Sequence, residues 1–511
     1  MLWRDSPLRA VIPALALAIL ALLSVACGGG DDDVSSPAPT VEPGTINLTL
    51  TEPLATVTFA TGDLQPGGPT SVAAGDFNGD GMPDLLLGAN YADGPDGSRP
   101  DAGEAYVLFG PVSGDIDLET NAPDVTVFGA VAGDRLGEGV AVGDLNGDGI
   151  DDIIVGAPAS NGLENLRTDM GEAYVVYGRA DLPATVDTLA EEQDSGLLPA
   201  EGFSQLGRTF AVGDVNGDGV DDLVAGAPYA GREPDSPVGS PRTTVGEVYV
   251  VYGGASLRDQ VSVARREQDV LISGSAEFDQ FGGSVAVGDV NGDGELDIII
   301  GADGYDPDDA RGAAGGVFIY YGGEDLSRSL GIADADVVIE GGANGEMAGT
   351  LLATSDANGD GRVDLAVAAT GGRGPGDELG AGRVYVVSGG LEATPSVMAP
   401  ENFPTAYGAA AGEFLPGSLA LSGNRLAAGA PARDEVYVLT VPAESAKLSR
   451  GAEGILTIIA DGADGLGSAV AMADVDGDGS DDLIAQAAGH RDAPPAGFQG
   501  RVYVVSLGDY N

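Results

Sequence analysis

The sequence predicts an all-β fold, a seven-bladed β-propeller in which an N-terminal strand closes the last blade. Three observations lead to this prediction. An acidic nine-residue segment recurs along the chain, short apolar runs flank each copy, and the copies are separated by roughly the length of one four-stranded unit. The segment reads D-x-[ND]-G-D-G-x-x-D, and its copies begin at Asp76, Asp144, Asp214, Asp289, Asp356 and Asp474.

The spacing of these copies gives the number of repeats. Successive copies begin 68, 70, 75 and 67 residues apart, and the last interval of 118 residues has room for two repeats of about 59 residues. A repeat without the acidic segment fits there, at 417–431, where the apolar runs survive around a short turn near Ser422. The 511 residues therefore contain seven repeats, and six of them carry the acidic segment.

Each repeat is expected to supply four short strands, most clearly in the second repeat. Its apolar runs cover 139–143, 152–156 and 172–177, and a weaker fourth run lies near 197–203. The acidic segment joins the first two runs and is therefore predicted to be the turn of a β-hairpin. Four strands in each of seven repeats suit blades arranged radially around an axis.

The two ends of the chain suggest how the ring closes. The seventh repeat offers three strands, near 467–473, 482–486 and 501–505, and no fourth run follows them. At the other end, residues 46–50 and 56–59 alternate in a β-like pattern before the first acidic segment. We expect the N-terminal strand at 46–59 to fill the fourth place of the seventh blade.

The acidic segments are predicted calcium loops. Oxygen side chains at positions 1, 3, 5 and 9 and the backbone carbonyl at position 7 can converge on one hard cation, and glycine at position 6 permits the sharp turn. An EF-hand is excluded because position 12 is apolar in the first three copies. Six Ca²⁺ ions are expected, with affinities on the order of 10⁻⁴ to 10⁻³ M. The predicted ligands are Asp76, Asn78, Asp80, Met82 and Asp84; Asp144, Asn146, Asp148, Ile150 and Asp152; Asp214, Asn216, Asp218, Val220 and Asp222; Asp289, Asn291, Asp293, Glu295 and Asp297; Asp356, Asn358, Asp360, Arg362 and Asp364; and Asp474, Asp476, Asp478, Ser480 and Asp482.

Two further motifs recur in register with the loops. Repeats open with Phe-Gly or Leu-Gly, and Gly-Ala-Pro follows several second strands, as at Phe281-Gly282, Leu136-Gly137, Gly156-Ala157-Pro158 and Gly226-Ala227-Pro228. Over about residues 45–508 the chain resembles the FG-GAP repeats of integrin α-chain propellers and of many bacterial surface proteins. The resemblance implies an adhesion or binding module. The fifth and seventh repeats depart from Gly-Ala-Pro, the sixth lacks metal ligands, and no ligand-binding domain is inserted between blades.

The resemblance also implies a ligand face opposite the calcium loops. The connections between the second and third strands, and between the fourth strand and the next first strand, should share that face. Such loops are also often solvated and variable without binding anything. The candidate contacts are Tyr91, Arg135, Tyr229, Arg232, Tyr305, Arg373 and Arg491, with Arg99, Arg242 and Arg311 as further candidates.

The N-terminus is typical of an exported protein. Residues 1–26 form a predicted signal peptide, Cys27 follows small residues as in a bacterial lipobox, and 28–45 is a Gly-, Asp- and Pro-rich tether before the propeller at 46–511. The interpretation favoured is lipidation of Cys27 and anchoring at the cell surface. Ordinary cleavage after Ala26, which would release a secreted protein, is the alternative.

Composition and motifs argue against some partners and give little support for catalysis, although carboxylate pairs of the kind that glycosidases use are abundant. A formal net charge of −57, with Lys447 as the only lysine, argues against nucleic acid and against a membrane contact other than the N-terminal lipid. His490 is the only histidine, and neither G-x-S-x-G nor H-E-x-x-H occurs, so no catalytic residue is assigned. The predicted function is a calcium-binding extracytoplasmic adhesion module for an unknown surface protein or polysaccharide. The alternatives are a hydrolase or hydrolase-associated propeller, as in glycosylphosphatidylinositol-specific phospholipase D, and an envelope scaffold.

Overall fold

The computed structural model describes most of the chain from Gly44 onwards. The described residues are 44–48, 52–61, 71–161, 170–198, 204–231, 244–254, 257, 260–308, 310–324, 326–374, 376–391, 396–398, 402–408, 416–441, 445–450, 452–460, 465–488 and 499–508. They all fall within one compact unit, Val41–Asn511. The predicted signal peptide, Cys27 and most of the predicted tether lie outside the described residues.

The described strands form seven sheets of five strands each, which are the seven predicted blades. The first four strands of every blade run antiparallel to their neighbours. First strands are Val72–Gly75, Gly139–Gly143, Thr209–Gly213, Ser284–Gly288, Ala348–Ser355, Ser418–Ser422 and Leu466–Ala473. Second strands are Asp84–Ala89, Asp152–Ala157, Asp222–Ala227, Asp297–Ala302, Asp364–Ala369, Arg425–Ala430 and Asp482–Ala487.

The third and fourth strands complete each antiparallel meander. Third strands are Glu104–Leu108, Glu172–Val176, Glu247–Val251, Gly316–Tyr320, Arg383–Val387, Glu435–Thr440 and Gln499–Ser506. Fourth strands are Val125–Phe128, Ser195–Leu198, Val270–Ser273, Val337–Glu340, Thr405–Tyr407, Ile455–Ile459 and Ala55–Thr61. In the second blade the fourth strand begins two residues earlier than the apolar run suggested.

The fifth strand of each blade was not predicted. It is short, it runs parallel to the fourth strand, and it comes from the segment that precedes the fourth strand of the next blade. In blade order the fifth strands are Thr185–Asp187, Val261–Ser262, Ser329–Gly331, Ser396–Val397, Ala446–Lys447, Thr45–Asn47 and Gly114–Asp117. Each blade therefore covers the outer edge of the blade before it, which protects that edge from pairing with another chain.

The ring is closed by two N-terminal strands. Ala55–Thr61 pairs antiparallel with Gln499–Ser506 as the fourth strand of blade 7, which confirms the predicted closure. Thr45–Asn47 was grouped with it in the prediction, but it pairs parallel with Ile455–Ile459 and belongs to blade 6. Val57 and Phe59 are fully buried, so closure also completes a hydrophobic cluster between blades 7 and 1.

Apolar residues pack between blades, in seven clusters among the described residues. The second strands are buried along their whole length in most blades because each sheet has another sheet on both faces. Close contact requires glycine where the backbones approach: a Cβ on Gly156 would lie 1.7 Å from the carbonyl oxygen of Gly207 in the next blade. The glycines of the Gly-Ala-Pro and Leu-Gly motifs are therefore contacts between neighbouring blades.

Helical structure in the described residues is limited to single 3₁₀ turns. They are Pro95–Gly97, Thr188–Ala190, Val263–Arg265, Ile332–Asp334 and Pro431–Arg433. No helix in the described part of the chain has the length and apolar character needed to cross a membrane.

Candidate functional site

The acidic loops are hairpin turns, as predicted. In blade 2, for example, Gly143 pairs with Asp152, so the turn runs from Asp144 at position 1 to Asp151 at position 8. The glycines at positions 4 and 6 have φ of 76° and 87° in this loop. These left-handed conformations favour glycine and fold the chain back so that its oxygen side chains face inwards.

Position 1 organises the interior of each loop. One Asp144 carboxylate oxygen accepts hydrogen bonds from the N–H groups of Gly147 and Asp148, and the other accepts from Gly149 at 2.7 Å. Asp148 at position 5 accepts from the N–H of Ile150 at position 7. The same hydrogen bond, from the position 7 N–H to the position 5 carboxylate, occurs in all six loops. The predicted ligands of each loop are therefore gathered by the loop's own backbone.

Position 9 is the buried base of each loop. Asp152 is fully buried, and its carboxylate accepts from the N–H of Leu145 at position 2 and from that of Gly178, just after the third strand. Burial raises the pKa of Asp152, Asp222 and Asp297 to about 7 and that of Asp84 to about 6. Without a cation, these carboxylates are costly to keep ionised.

The loop of blade 7 differs from the others at position 3. Asparagine holds this position in five loops, and its side-chain N–H₂ donates to the position 9 carboxylate, as from Asn216 to Asp222 at 3.2 Å. In blade 7 position 3 is Asp476, which has no N–H to donate. In the other five loops the same carboxylate oxygen also accepts from the N–H of a glycine just after the third strand, and blade 7 lacks this hydrogen bond too. The Oδ1 atom of the fully buried Asp482 therefore has no hydrogen-bond partner.

This unpartnered oxygen indicates that the residues fit a cation. Carboxylate oxygens of Asp474, Asp476 and Asp482 lie within 4.8 Å of one another. Burial, and then the charges of Asp476, Asp478 and Asp474, raise the pKa of Asp482 to about 6. Several carboxylate oxygens on a flexible turn form the ligand set that Ca²⁺ prefers, and a divalent ion would offset their repulsion.

Position 8 has a role that the sequence did not reveal. Asp151 in blade 2 accepts a hydrogen bond at 2.9 Å from the N–H of Asp76 in blade 1, and Asp221 in blade 3 accepts from that of Asp144 in blade 2. In blade 7, Asp481 accepts from the hydroxyl of Ser422 in blade 6. These carboxylates join neighbouring hairpins. Their recurrence at position 8 was a signal, but their partners lie about 60 to 80 residues away.

The sixth blade has no acidic loop, as predicted. Its first two strands are joined by a two-residue turn, Gly423-Asn424, with Ser422 paired to Arg425. Three oxygen ligands cannot converge in so short a turn.

The face opposite the acidic loops holds the predicted ligand contacts that the structure describes. Isolated parallel bridges, such as Gly103 with Leu136 and Gly171 with Leu206, place the second-to-third connection of one blade beside the first strand of the next. We call this surface the loop face. Arg135 stacks over the ring of Tyr91 at 5.0 Å, so two of the candidates are in contact. An open polar cavity of about 220 Å³ lies here, lined by Gly133, Arg135, Glu138, Pro158, Ala159 and Gln205.

Other loop-face candidates are held in place by neighbours. The hydroxyl of Tyr229 donates to Gln280 at 3.0 Å, and Tyr305 packs edge-on against Phe318. Arg373 pairs with Asp377 at 2.6 Å while both remain exposed. Arg232, Arg242 and Arg491 lie outside the described residues.

Arg99 and Arg311 have structural roles. Arg99 pairs with Asp187 at 2.6 Å and also donates to the carbonyl of Gly129. Arg311 pairs with Asp308 and Glu340 and donates to the carbonyl of Gly341. In both blades the arginine holds the connection between the second and third strands against the end of the fourth strand. Its guanidinium group is already paired with carboxylates of the same chain.

Two exposed apolar residues on the loop face were not among the predicted ligand contacts. Phe278 is 72% exposed and has φ of 70°, and Leu379 is 62% exposed. Both stand between polar residues in loop segments of the sequence. An isolated apolar residue in a loop gives no periodic signal.

A buried carboxyl group lies beneath this face. Asp134 is 1% exposed and accepts a hydrogen bond at 2.9 Å from the N–H of Val131. Burial, with a smaller effect of the nearby Glu172 carboxylate, raises the pKa of Asp134 to about 7. Glu172 in turn accepts from the hydroxyls of Ser160 and Tyr174. These groups are enclosed between blades 1 and 2, where they support the fold.

The repeats are similar to those of known proteins. The FG-GAP repeat family matches residues 68–108, 136–176, 206–251, 281–320, 348–387 and 466–505. The degenerate sixth repeat lies outside the six matches.

Similar curated proteins include bovine phosphatidylinositol-glycan-specific phospholipase D, 36% identical over 171 residues, which are 33% of this chain and 18% of that protein. They also include integrin alpha pat-2 of Caenorhabditis elegans, 29% identical over 243 residues, which are 46% of this chain and 18% of the integrin. Human integrin alpha-8 is 31% identical over 170 residues, 32% of this chain and 14% of the integrin. The matched regions thus span less than a quarter of these relatives.

Proposed function

The chain is an integrin alpha-like FG-GAP repeat propeller, and from this premise we propose that it is a calcium-binding, extracytoplasmic surface module. Its loop face binds a surface protein or polysaccharide, and its acidic loops bind Ca²⁺. The observation that carries the proposal is the division of the molecule into two ends with different chemistry. One end holds six acidic turns, and the other holds an open polar cavity beside stacked Tyr91 and Arg135.

Calcium binding is supported by the blade 7 loop. The unpartnered Asp482 oxygen lies beside the carboxylates of Asp474 and Asp476, and its neighbours disfavour its ionised form. When bound, the ion would neutralise the loop carboxylates and link the two strands of each hairpin. The residues of this chain that would hold it are those at positions 1, 3, 5, 7 and 9.

Partner binding is supported by the shape of the loop face. A cavity of about 220 Å³ accepts one or two side chains or a sugar unit, whereas enclosed small-molecule sites are usually larger. Arg135 supplies a cation on its wall, Glu138 and Gln205 supply acceptors, and Tyr91 supplies an aromatic face for stacking. Among the described residues that line this cavity there is no histidine, serine or cysteine.

A pull-down from envelope extract, with Ca²⁺ and with EGTA, tests the proposal. The bait is the full chain, and the matched control carries Arg135→Ala together with Tyr91→Ala. We expect a specific partner to be retained with Ca²⁺ and lost from the double variant. Retention of the same partners by both baits, or of none under either condition, contradicts the loop-face assignment.

Association with a hydrolase is the second candidate. The similarity to phosphatidylinositol-glycan-specific phospholipase D supports it, although the match covers only 18% of the bovine protein. A hydrolase co-purifying in the same pull-down would favour this candidate. Hydrolysis of a surface polymer by the purified chain would instead make the chain itself an enzyme.

A further inference from the structure

In five of the six acidic loops, the side chain at position 7 reaches the acidic loop of the preceding blade. A Cβ built on the position 4 glycine of one loop would clash with the position 7 side chain of the next. A Cβ on Gly79 would lie 2.9 Å from the side chain of Ile150. The corresponding distances are 3.1 Å from a Cβ on Gly147 to Val220 and 2.6 Å from a Cβ on Gly477 to Met82. The backbone of the position 7 residue therefore belongs to its own loop, whereas its side chain covers the loop of the preceding blade.

Two of these covering side chains are charged, with opposite signs. Glu295, in the blade 4 loop, covers the blade 3 loop, and its Oε2 would lie 2.5 Å from a Cβ on Gly217. Arg362, in the blade 5 loop, covers the blade 4 loop, and its Nε would lie 3.0 Å from a Cβ on Gly292. Each covered glycine stands between the position 3 and position 5 ligands, so each charge lies beside a predicted ion.

The series of covered loops is interrupted at blade 6. No atom lies within 4 Å of a Cβ built on Gly359 in the blade 5 loop, because the short turn of blade 6 has no position 7 to cover it. The covered loops follow the order 7, 1, 2, 3 and 4, and each is covered by the blade after it.

We propose that Glu295 and Arg362 set the Ca²⁺ affinities of the neighbouring blades' loops, so that blade 3 binds more tightly and blade 4 more weakly than their own ligands dictate. The carboxylate of Glu295 adds negative charge beside the Asp214–Asp222 site. The guanidinium of Arg362 adds positive charge beside the Asp289–Asp297 site. This inference rests on the proposed calcium function.

The sign of each effect follows from Coulomb's law. A unit charge beside a divalent ion in a partly solvated site changes its affinity by roughly three- to tenfold. Glu295→Gln should therefore weaken binding at the blade 3 loop by that factor, and Arg362→Gln should strengthen binding at the blade 4 loop. Both effects should diminish in 1 M KCl because salt screens partly exposed charges. A purely structural role of either side chain would not produce this salt dependence.

Isothermal titration calorimetry of the full chain with Ca²⁺ tests the proposal, alongside the Ca²⁺-dependent shift in its unfolding midpoint. Control variants remove the same charges elsewhere: Glu453→Gln in blade 6 and Arg328→Gln, whose side chain is 83% exposed. Each test variant is also placed in a background that disables the covered loop. Glu295→Gln is combined with Asp214→Asn, and Arg362→Gln with Asp289→Asn.

The expected result is an opposite change in affinity for the two test variants, no change for the controls, and loss of each effect in its disabled background. An effect that persists in that background would place the charge's action in its own loop and overturn the proposal. So would test variants that behave like the controls. If the unaltered protein binds no Ca²⁺, the proposed calcium function fails and the inference fails with it. Normal binding with unchanged variants overturns the inference alone.

Discussion

At the residue scale, Asp476 differs from the five asparagines at position 3 by one side-chain nitrogen. Each asparagine donates to the buried position 9 carboxylate, whereas Asp476 cannot donate and one oxygen of Asp482 has no partner. Blade 7 also lacks the glycine N–H that donates to this oxygen in the other five loops, so its position 9 carboxylate has the fewest hydrogen bonds of the six.

We predict that Asp476→Asn stabilises the metal-free protein by about 1 kcal/mol, because the new amide can donate to Asp482. The stabilisation gained on adding Ca²⁺ should become smaller, since the site loses a negative ligand. Thermal unfolding in EGTA and in millimolar Ca²⁺ measures both effects. The reciprocal control, Asn358→Asp in blade 5, should change both in the opposite direction. An unchanged Ca²⁺ response in both variants would contradict the prediction.

Asp134 provides a prediction of pH dependence away from the loops. Burial raises its pKa to about 7, so the folded state binds a proton that the unfolded state releases near pH 4. Its contribution to stability is therefore complete below pH 4 and is lost as the pH rises through 7. Asp134→Asn should add on the order of 2 kcal/mol at pH 8 and almost nothing at pH 4.

Urea unfolding from pH 4 to pH 8 measures this difference for the wild type and the variant. Asp181→Asn, at an exposed position, is the control and should leave the pH profile unchanged. A variant whose added stability is equal at both ends of the pH range would show that Asp134 acts through packing rather than through its charge.

At the scale of elements, each hairpin is held by the hairpin beside it as well as by its own turn. Asp221 accepts from the backbone of Asp144, and Glu295, Val220 and Ile150 cover glycines of the preceding loop. A change that orders one loop is therefore expected to act on a structure shared with the next. The acidic hairpins form one connected series from blade 7 to blade 5.

Removing such a connection should weaken the whole series. We expect Asp221→Ala to cost about 1 to 2 kcal/mol, because the N–H of Asp144 loses its acceptor. Asp221→Asn keeps an acceptor oxygen and should cost much less. Equilibrium unfolding in urea compares the two variants, and equal losses would show that the carboxylate acts through its charge and not through this hydrogen bond.

At the scale of the whole molecule, the ring depends on residues 44–61. Thr45–Asn47 completes blade 6 and Ala55–Thr61 completes blade 7, and both pair with strands more than 400 residues away in the chain. Val57 and Phe59 are each 0% exposed in the cluster between blades 7 and 1. The loss of one large buried side chain of this kind costs about 3 to 5 kcal/mol.

Two truncations test this closure. A chain starting at Gly44 should unfold at the same midpoint as the full chain, because all the described strands remain. A chain starting at Gly62 should lose its cooperative transition or unfold at a midpoint lower by more than about 10 °C, and a peptide of residues 44–61 should restore it. Equal midpoints for the two truncations would contradict closure by these strands.

The sequence by itself determined the number of blades, the hairpin at each acidic loop, the missing loop of blade 6 and the need for an N-terminal strand. These features are periodic or local, and each residue's role follows from neighbours a few positions away. Only the tertiary structure decided that Thr45–Asn47 joins blade 6, that every blade receives a fifth strand, and that Arg99 and Arg311 are held in ion pairs. It also placed the position 7 side chain over a glycine of the preceding blade's loop and the position 8 carboxylate against the backbone of the preceding blade. Most of these contacts join segments far apart in the chain, and those at positions 7 and 8 join neighbouring blades. The spacing of a pattern along the chain does not specify which side chains meet when the blades pack.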